Sequence, residues 1–366
     1  MNIVIFIIIL LVLVIVHEFG HFFSAKRFGI RVDEFGFGFP PKLFGKKFGE
    51  TEYTFNLLPL GGVVKIYGET PDEENMNGPD AARSFVNKPK YKQAIVLVAG
   101  VVSNFLLAWL LFSIGFMSGL PSSVGSEGKN YQLSDLHLVV VSVSSHSPAE
   151  ASGLKAGDKI ISLKSGSDDL VDINPETLRN FIVNHNDQEL AIGYLRGTQT
   201  ETSFVNIVPV ASATDGKPSI GIAMDEIGIA KLPIFQAFYE GMKLTLFVAK
   251  STVVGLYTLI VNGLQAKGSF DAVTGPVGMV GIVGDAYKLG FVYLLSFSAL
   301  ISINLAVINL LPFPALDGGR LFFLLIEKVK GSAINPKVAN TANMVGFGVL
   351  ILLMLVVTYH DVIKLF

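Results

Sequence analysis

The sequence contains no cysteine and few charged residues. With no cysteine in 366 residues, disulfides, thiolate metal sites and cysteine nucleophiles are excluded, so any metal must be bound by His, Asp or Glu. Charged residues make up only 16% of the chain, and the formal net charge is −2. The basic residues are spread through loops rather than clustered, which argues against nucleic acid as a partner.

Apolar sequence is abundant instead. The chain is 51% hydrophobic with a mean hydropathy of +0.54, and we predict an integral membrane protein in contact with the lipid bilayer. Four apolar segments are long enough to cross a bilayer, which takes about 20 residues: 3–25, 94–117, 291–316 and 338–359. The last three are uncharged. Charges at Glu240, Lys243 and Lys250 interrupt the run 235–264, and we interpret it as an amphipathic helix at the outer interface.

The distribution of basic residues predicts the orientation. Residues 26–92 are rich in Lys and Arg, so the positive-inside tendency places them in the cytoplasm. With four spans, both termini and the soluble-type segment 120–226 then lie outside. The predicted domains are 1–119 with the first two spans, 120–226, and 227–366 with the interfacial helix and the last two spans.

The first span carries an ionisable cluster, His17-Glu18-Phe19-Gly20-His21. Polar groups are costly within a membrane, so such a cluster indicates a functional site. His17 and His21 are four residues apart on one helical face, and both imidazoles can reach one ion. Glu18 points elsewhere and can act as the base that takes a proton from water. This is the His-Glu-x-x-His pattern of zinc metalloproteases.

The third span ends in a second polar motif, Asn-Leu-Leu-Pro-Phe-Pro-Ala-Leu-Asp-Gly-Gly at 309–319. Two prolines break the helix, and irregular backbone at membrane depth is tolerated only within protein or beside a cavity. Asp317 is therefore the candidate third metal ligand. Asp271 and Asp285 are weaker candidates because they precede the span. An N-cap of the next helix is the alternative role for Asp317.

A β-rich segment follows the first span. Residues 34–66 predict strands joined by a Gly-Gly turn at 61–62. The edge of such a hairpin can accept an extended substrate, while a solvated hairpin without that role is the alternative.

Segment 120–226 predicts strands at 137–143 and 189–194 and a helix at 175–184. Its Ser-Pro-Ala-x-x-Ser-Gly-Leu-x-x-Gly-Asp-x-Ile motif at 147–160 resembles the PDZ fold of bacterial membrane-associated proteases. PDZ domains bind extended peptides or chain ends by strand addition, so a peptide is a candidate ligand. Size filtering of substrates and packing against the membrane domain are the alternatives.

Taken in order along the chain, these motifs resemble the site-2 protease family of intramembrane zinc metalloproteases, of the bacterial regulator-of-sigma-E type. The resemblance implies an α-helical polytopic protein of the bacterial inner membrane with about four transmembrane helices, a membrane-associated β-hairpin loop and one inserted α+β PDZ-like domain. Many relatives carry two PDZ domains, whereas 120–226 accommodates one. The resemblance assigns Zn²⁺ ligands to His17, His21 and Asp317, the base to Glu18, and substrate binding to Asn304 and Asn309.

The function implied is cleavage of a transmembrane segment of a single-span protein, such as an anti-sigma factor or a signal-peptide remnant. A helix hides its carbonyls in hydrogen bonds, so that segment must unwind locally. Two other classes stay open: a metal or proton transporter that uses the His-Glu-His cluster, and an inactive scaffold that presents the PDZ-like domain. Inverted repeats would favour the transporter, but none is visible. The presence of His17, Glu18 and His21 together with Asp317 argues against the inactive scaffold.

Overall fold

A computed structural model describes residues 1–70, 73–125, 131–197, 199–211, 216–265 and 274–363. The helices are α1 (Asn2–Arg27), α2 (Glu73–Asn77), α3 (Lys90–Ser118), α4 (Pro148–Ala151), α5 (Pro175–Asn184), α6 (Ile234–Leu264), α7 (Pro276–Leu289), α8 (Phe291–Asn309), α9 (Asp317–Lys330) and α10 (Pro336–Ile363). The strands are β1 (Val32–Phe48), β2 (Thr51–Ile66), β3 (Leu120–Ser123), β4 (Ser134–Val143), β5 (Lys159–Ser165), β6 (Asp168–Asp169), β7 (Leu190–Leu195), β8 (Ser203–Ile207), β9 (Val210–Ala211), β10 (Pro218–Ser219) and β11 (Ile222–Ala230).

Contacts divide the chain into two units. The first, called the helical unit here, comprises Met1–Ile114, Phe238–Tyr287 and Leu294–Phe366. The second, called the β unit, comprises Gly115–Ala237 and Lys288–Tyr293.

Among the described residues, five helices are long and apolar enough to cross a membrane: α1, α3, α6, α8 and α10. The prediction counted four spans, and α6 also qualifies by length and composition because it is one continuous apolar helix. Its charges do not interrupt it. Glu240 is buried and accepts a hydrogen bond of 3.1 Å from Lys243, whose ammonium group lies over the ring of Tyr239. Local pairing thus offsets the charges that suggested an interfacial helix.

Helices α1 and α3 pack closely because small residues lie between them. A Cβ added at Gly20 would lie 2.3 Å from the carbonyl oxygen of Ala99, so the two backbones approach as near as glycine permits. On its other side α3 packs against α6 and α8, through a cluster that contains Ala108, Phe112 and Ala299.

Strands β1 and β2 fold into a small sheet beside α1. Glu34 pairs with both Lys65 and Glu52, so this part of β1 has neighbours on both sides. The predicted strands are confirmed. They are joined at 49–50, and β2 reverses direction after residue 55, because residues 34–37 of β1 pair with 52–55 in one direction and with 65–62 in the other. The predicted Gly-Gly turn at 61–62 lies at the end of this reversal. Gly62 also packs closely, because a Cβ there would lie 2.4 Å from Cγ of Glu18.

The β unit contains a seven-stranded sheet in the order β3-β11-β4-β5-β7-β8, with β6 beside β5. The predicted elements at 137–143, 175–184 and 189–194 are present as β4, α5 and β7. A capping box starts α5: Asn174 accepts from the backbone N–H of Thr177, whose hydroxyl accepts from the N–H of Asn174. The buried core includes Leu138, Val140, Leu163, Leu178, Leu190 and Ile192.

One buried ion pair in the β unit yields a prediction. Asp158 is fully buried and accepts hydrogen bonds of 2.7 and 2.6 Å from the guanidinium of Arg196. Arg196→Met removes the cation and leaves that carboxylate with the backbone N–H of Lys155 as a remaining donor, so we expect the free energy of unfolding to fall by about 2 kcal/mol. Hydrogen exchange of the β7 amides in the intact protein measures this. Lys164→Met, which breaks the half-exposed pair with Asp169, is the matched control, and its effect should stay below about 1 kcal/mol. Equal losses of protection in both variants would contradict the expectation.

Candidate metal centre

Three side chains from distant parts of the sequence converge at one point in the helical unit. Nε2 of His17 and Nε2 of His21 lie 3.2 Å apart, and Oδ2 of Asp317 lies 3.1 and 3.2 Å from them. Ligands at about 2.0–2.1 Å from a tetrahedral zinc ion are about 3.3 Å apart, so this triangle matches a single ion. Oδ2 of Asp317 is buried and accepts no hydrogen bond from the residues that the structure describes. Two imidazoles and an unpaired carboxylate oxygen form the donor set of a divalent cation site.

The loop between α8 and α9 brings Asp317 to this point. Gly318 and Gly319 allow the chain to fold back on itself, because added Cβ atoms would lie 2.3 Å from the carbonyl oxygen of Leu310 and 2.1 Å from that of Phe313. The alternative role predicted for Asp317 is wrong: the N-cap position of α9 belongs to Leu316, and no side chain caps the helix. The carboxylate is therefore available to the cluster.

Helix α3 supplies partners for both imidazoles. Nδ1 of His21 lies 2.8 Å from the carbonyl oxygen of Val96, which can only accept, so Nδ1 carries the proton and Nε2 is left as a ligand. Nδ1 of His17 lies 3.4 Å from the amide of Asn104. Between these residues, a Cβ at Gly100 would lie 2.3 Å from Nε2 of His21. Only glycine leaves room for the imidazoles here.

Glu18 lies next to the cluster but outside it. Among the described residues, the group whose ligand atoms lie within 4.8 Å of one another consists of His17, His21 and Asp317. Glu18 packs instead against Gly62 of β2. A carboxylate adjacent to a ligand but absent from the ligand set has the placement that a base requires.

The two predicted asparagines lie in different surroundings. Nδ2 of Asn309 is 3.4 Å from Nε2 of His17, so this amide borders the cluster. Asn304 faces α6, where its Oδ1 accepts a 2.9 Å hydrogen bond from the hydroxyl of Thr252. Of the weaker carboxylate candidates, Asp285 lies on α7 outside the cluster, and Asp271 lies outside the described residues.

Comparison with known proteins identifies the family. The family description Peptidase family M50 matches residues 5–353. The chain belongs to Peptidase family M50. The regulator of sigma-W protease RasP of Bacillus subtilis is 29% identical over 447 aligned residues, covering 100% of this chain and 99% of RasP. The zinc metalloprotease RasP of Geobacillus kaustophilus is also 29% identical, covering 100% and 98%. A Clostridium acetobutylicum protein is 34% identical over 363 residues, covering 99% and 97%.

The sequence of this M50 protein reveals the partners on α3 only in part. Val96 contributes a backbone carbonyl, which no side-chain pattern reveals. Gly100 and Asn104 were detectable in principle, because Gly-x-x-x-Asn repeats the four-residue spacing of the histidines on a second apolar helix. Without the structure, small and amide residues in a span indicate helix packing.

Because α3 approaches the candidate metal centre of this M50 protein closely, we predict that a larger residue at the contact would clash with the imidazoles. Gly100→Ala places a methyl group within 2.3 Å of an imidazole nitrogen, so the purified protein should lose most of its bound divalent metal. Elemental analysis of metal per molecule measures it. Gly255→Ala is the matched control, since it lies in helix α6 with open space around the added Cβ. Undiminished metal in Gly100→Ala would show that α3 does not constrain the imidazoles.

Proposed function

We propose that the protein is an intramembrane zinc metallopeptidase that cleaves a transmembrane segment of single-span membrane proteins. The observation that carries the proposal is the triangle of His17, His21 and Asp317, with Glu18 beside it and outside the ligand set. Two 29% identical relatives support zinc and peptide cleavage, since they are named as proteases and one of them as a zinc metalloprotease. These features favour a peptidase over a transporter or an inactive scaffold.

The side chains divide the chemistry among them. His17, His21 and Asp317 would hold the zinc, which when bound lowers the pKa of water and polarises a peptide carbonyl. Glu18 accepts the proton of the attacking water and donates it to the departing amide nitrogen. In this proposal the amide of Asn309, 3.4 Å from Nε2 of His17, donates a hydrogen bond to the carbonyl oxygen as it gains negative charge.

An extended substrate needs backbone partners once it has unwound. In β2, the segment 62–66 pairs with β1 on one side, and Gly62 packs against Glu18. A substrate strand added to this segment would lie next to the base, and strand addition leaves its carbonyls accessible. Asn304, on α8, is a further substrate-binding amide in this proposal. An anti-sigma factor is the favoured substrate class, because one relative is named a regulator of sigma-W protease.

The β unit supplies a second peptide-binding surface in this proposal, consistent with a PDZ-like role. A cavity of about 240 Å³ lies between α5 and the residues around β10, lined by Ile182, Ile220 and Met224. Arg179 and Lys217 also line it. A groove that combines apolar side chains with two cations suits an extended peptide that ends in a carboxylate.

We propose a multi-pass protein of the bacterial inner membrane with residues 26–92 in the cytoplasm and 120–226 outside. Ion pairs support one part of this arrangement. Arg320 contacts Glu69, and Lys90 contacts Glu327, so α9 lies on the same side as segment 26–92. This requires α8 to cross toward the cytoplasm.

Both chain ends lie beside one helix, α7. Asp361 accepts hydrogen bonds from the N–H groups of Gly275 and Gly278, and Gly284 packs against Asn2. If both termini lie on the same side of the membrane, the chain crosses the membrane an even number of times. Of the five qualifying helices, α6 is therefore the one that makes no net crossing in this proposal.

Cysteine labelling in intact cells tests this topology. A cysteine at Ser167 should react with an impermeant thiol reagent, while cysteines at Asn77 and Lys328 should not. The native chain has no cysteine, so it serves as the unlabelled control. Labelling at Lys328 but not at Asn77 would place α9 outside the cytoplasm and refute the proposed topology of four crossings.

Substitution of Glu18 tests the mechanism. Glu18→Gln keeps the size of the side chain and removes the proton acceptor, so zinc should be retained at about one per molecule while cleavage falls by ~10²-fold or more. Asp317→Ala is the companion variant, and it should lose zinc together with cleavage. Zinc content and cleavage of a transmembrane substrate are measured on the same samples. Cleavage by Glu18→Gln at the wild-type rate would refute the proposed mechanism, and the transporter alternative predicts altered ion flux with no proteolysis.

A further inference from the structure

Asn104 is a fully buried amide in the middle of α3. Its Nδ2 lies 3.4 Å from Nδ1 of His17, and its Oδ1 has no hydrogen-bond partner within the described part of the chain. A buried polar atom without a partner costs about 1–3 kcal/mol and calls for an explanation. The neighbouring imidazole supplies that explanation, because the amide oxygen would have a partner if it were turned toward Nδ1 of His17.

The position of the proton on His17 determines whether it can bind a metal. Its Nε2 faces His21 and Asp317, so a ligand role leaves the proton on Nδ1. That N–H points at the amide of Asn104. Rotating the amide by 180° about its terminal bond places Oδ1 at this position, where it accepts the proton.

Without an acceptor at Nδ1, the other tautomer is favoured. A proton on Nε2 of His17 would be donated to Oδ2 of Asp317, 3.1 Å away. Two of the three ligands would then bind each other, and a metal would have to break that hydrogen bond. An acceptor behind His17 removes this competition.

Asn104 is itself held in place. Its backbone carbonyl accepts a 2.8 Å hydrogen bond from the hydroxyl of Ser302, on the helix that leads to Asp317. His21 needs no equivalent side chain, because the carbonyl of Val96 accepts its proton. The two histidines thus use acceptors of different kinds on the same face of α3.

We propose that Asn104 is a positioning residue that holds His17 as the Nδ1–H tautomer and so keeps Nε2 available to the metal. This inference rests on the proposed zinc peptidase function. Partners of this kind typically change metal affinity by about 10–100-fold when removed. Asn104 acts through His17 and does not touch the metal.

The test compares three variants of the full-length protein in detergent. Asn104→Leu removes the acceptor at similar size and should raise the zinc Kd by about 10–100-fold. Asn104→Asp restores an acceptor and should bind zinc at least as tightly as the wild type. Ser113→Ala is the control, because Ser113 is also buried on α3 but bonds only the carbonyl of Trp109, and its Kd should stay within about twofold. Chelator competition measures Kd, and Co²⁺ absorption reports the ligand geometry.

The outcomes distinguish failure of the Asn104 inference from failure of the peptidase proposal. Wild-type affinity and an unchanged Co²⁺ spectrum in Asn104→Leu would overturn the inference while leaving the peptidase proposal intact. Equal weakening in Asn104→Asp and Asn104→Leu would also overturn it, since any loss of packing would then suffice. If Asn104→Leu fails to fold, the Asn104→Asp variant decides, and an affinity below the wild type refutes the role. A wild-type protein without zinc would refute the proposed function itself.

Discussion

The close approach of α1 and α3 is the constraint on which the site depends. Gly20 brings α1 onto the backbone of α3, and Gly100 leaves space for both imidazoles. In a membrane, helices associate through such packing and through polar contacts rather than through water exclusion. The same surface therefore joins the helices and orients the ligands, because Val96 and Asn104 contact the imidazoles from that face. A change that separates the helices would disturb ligand geometry before it disturbed either helix.

The proline-containing loop is the second constraint. Irregular backbone exposes carbonyl groups, and within a membrane these are tolerated only when surrounded by protein. Gly318 and Gly319 let the loop fold against itself, while Gly346 of α10 packs on Pro314. The loop is thus enclosed by its own chain and by the last helix. That enclosure fixes the position of Asp317, which local sequence alone does not determine.

The sequence predicted those parts of the site that depend on local spacing. His17 and His21 share a face at any four-residue separation in a helix, and prolines before Asp317 marked the break in α8. Of the contacts between distant segments, that of Asp317 with the two histidines was predicted, whereas the contacts of α3 with the imidazoles were not. Asn304 and Asn309 look equivalent in sequence, but five residues of helix rotate them by about 140°, so only Asn309 borders the cluster. The glycines at 61–62 predicted a turn, but the packing of Gly62 against Glu18 is a requirement visible only in three dimensions.

The membrane setting explains why these three ligands form one assembly. A buried carboxylate oxygen facing two imidazoles is removed from bulk solvent, and a positive charge bound beside it offsets the desolvation cost. A cation bound there joins the first helix to the loop before α9, nearly the full length of the chain apart in sequence. Ion binding then adds its free energy to the packing of the helical unit, as at other metal sites where binding and folding are coupled. In the proposed function, the centre that performs the chemistry would therefore also stabilise the packing of the helices.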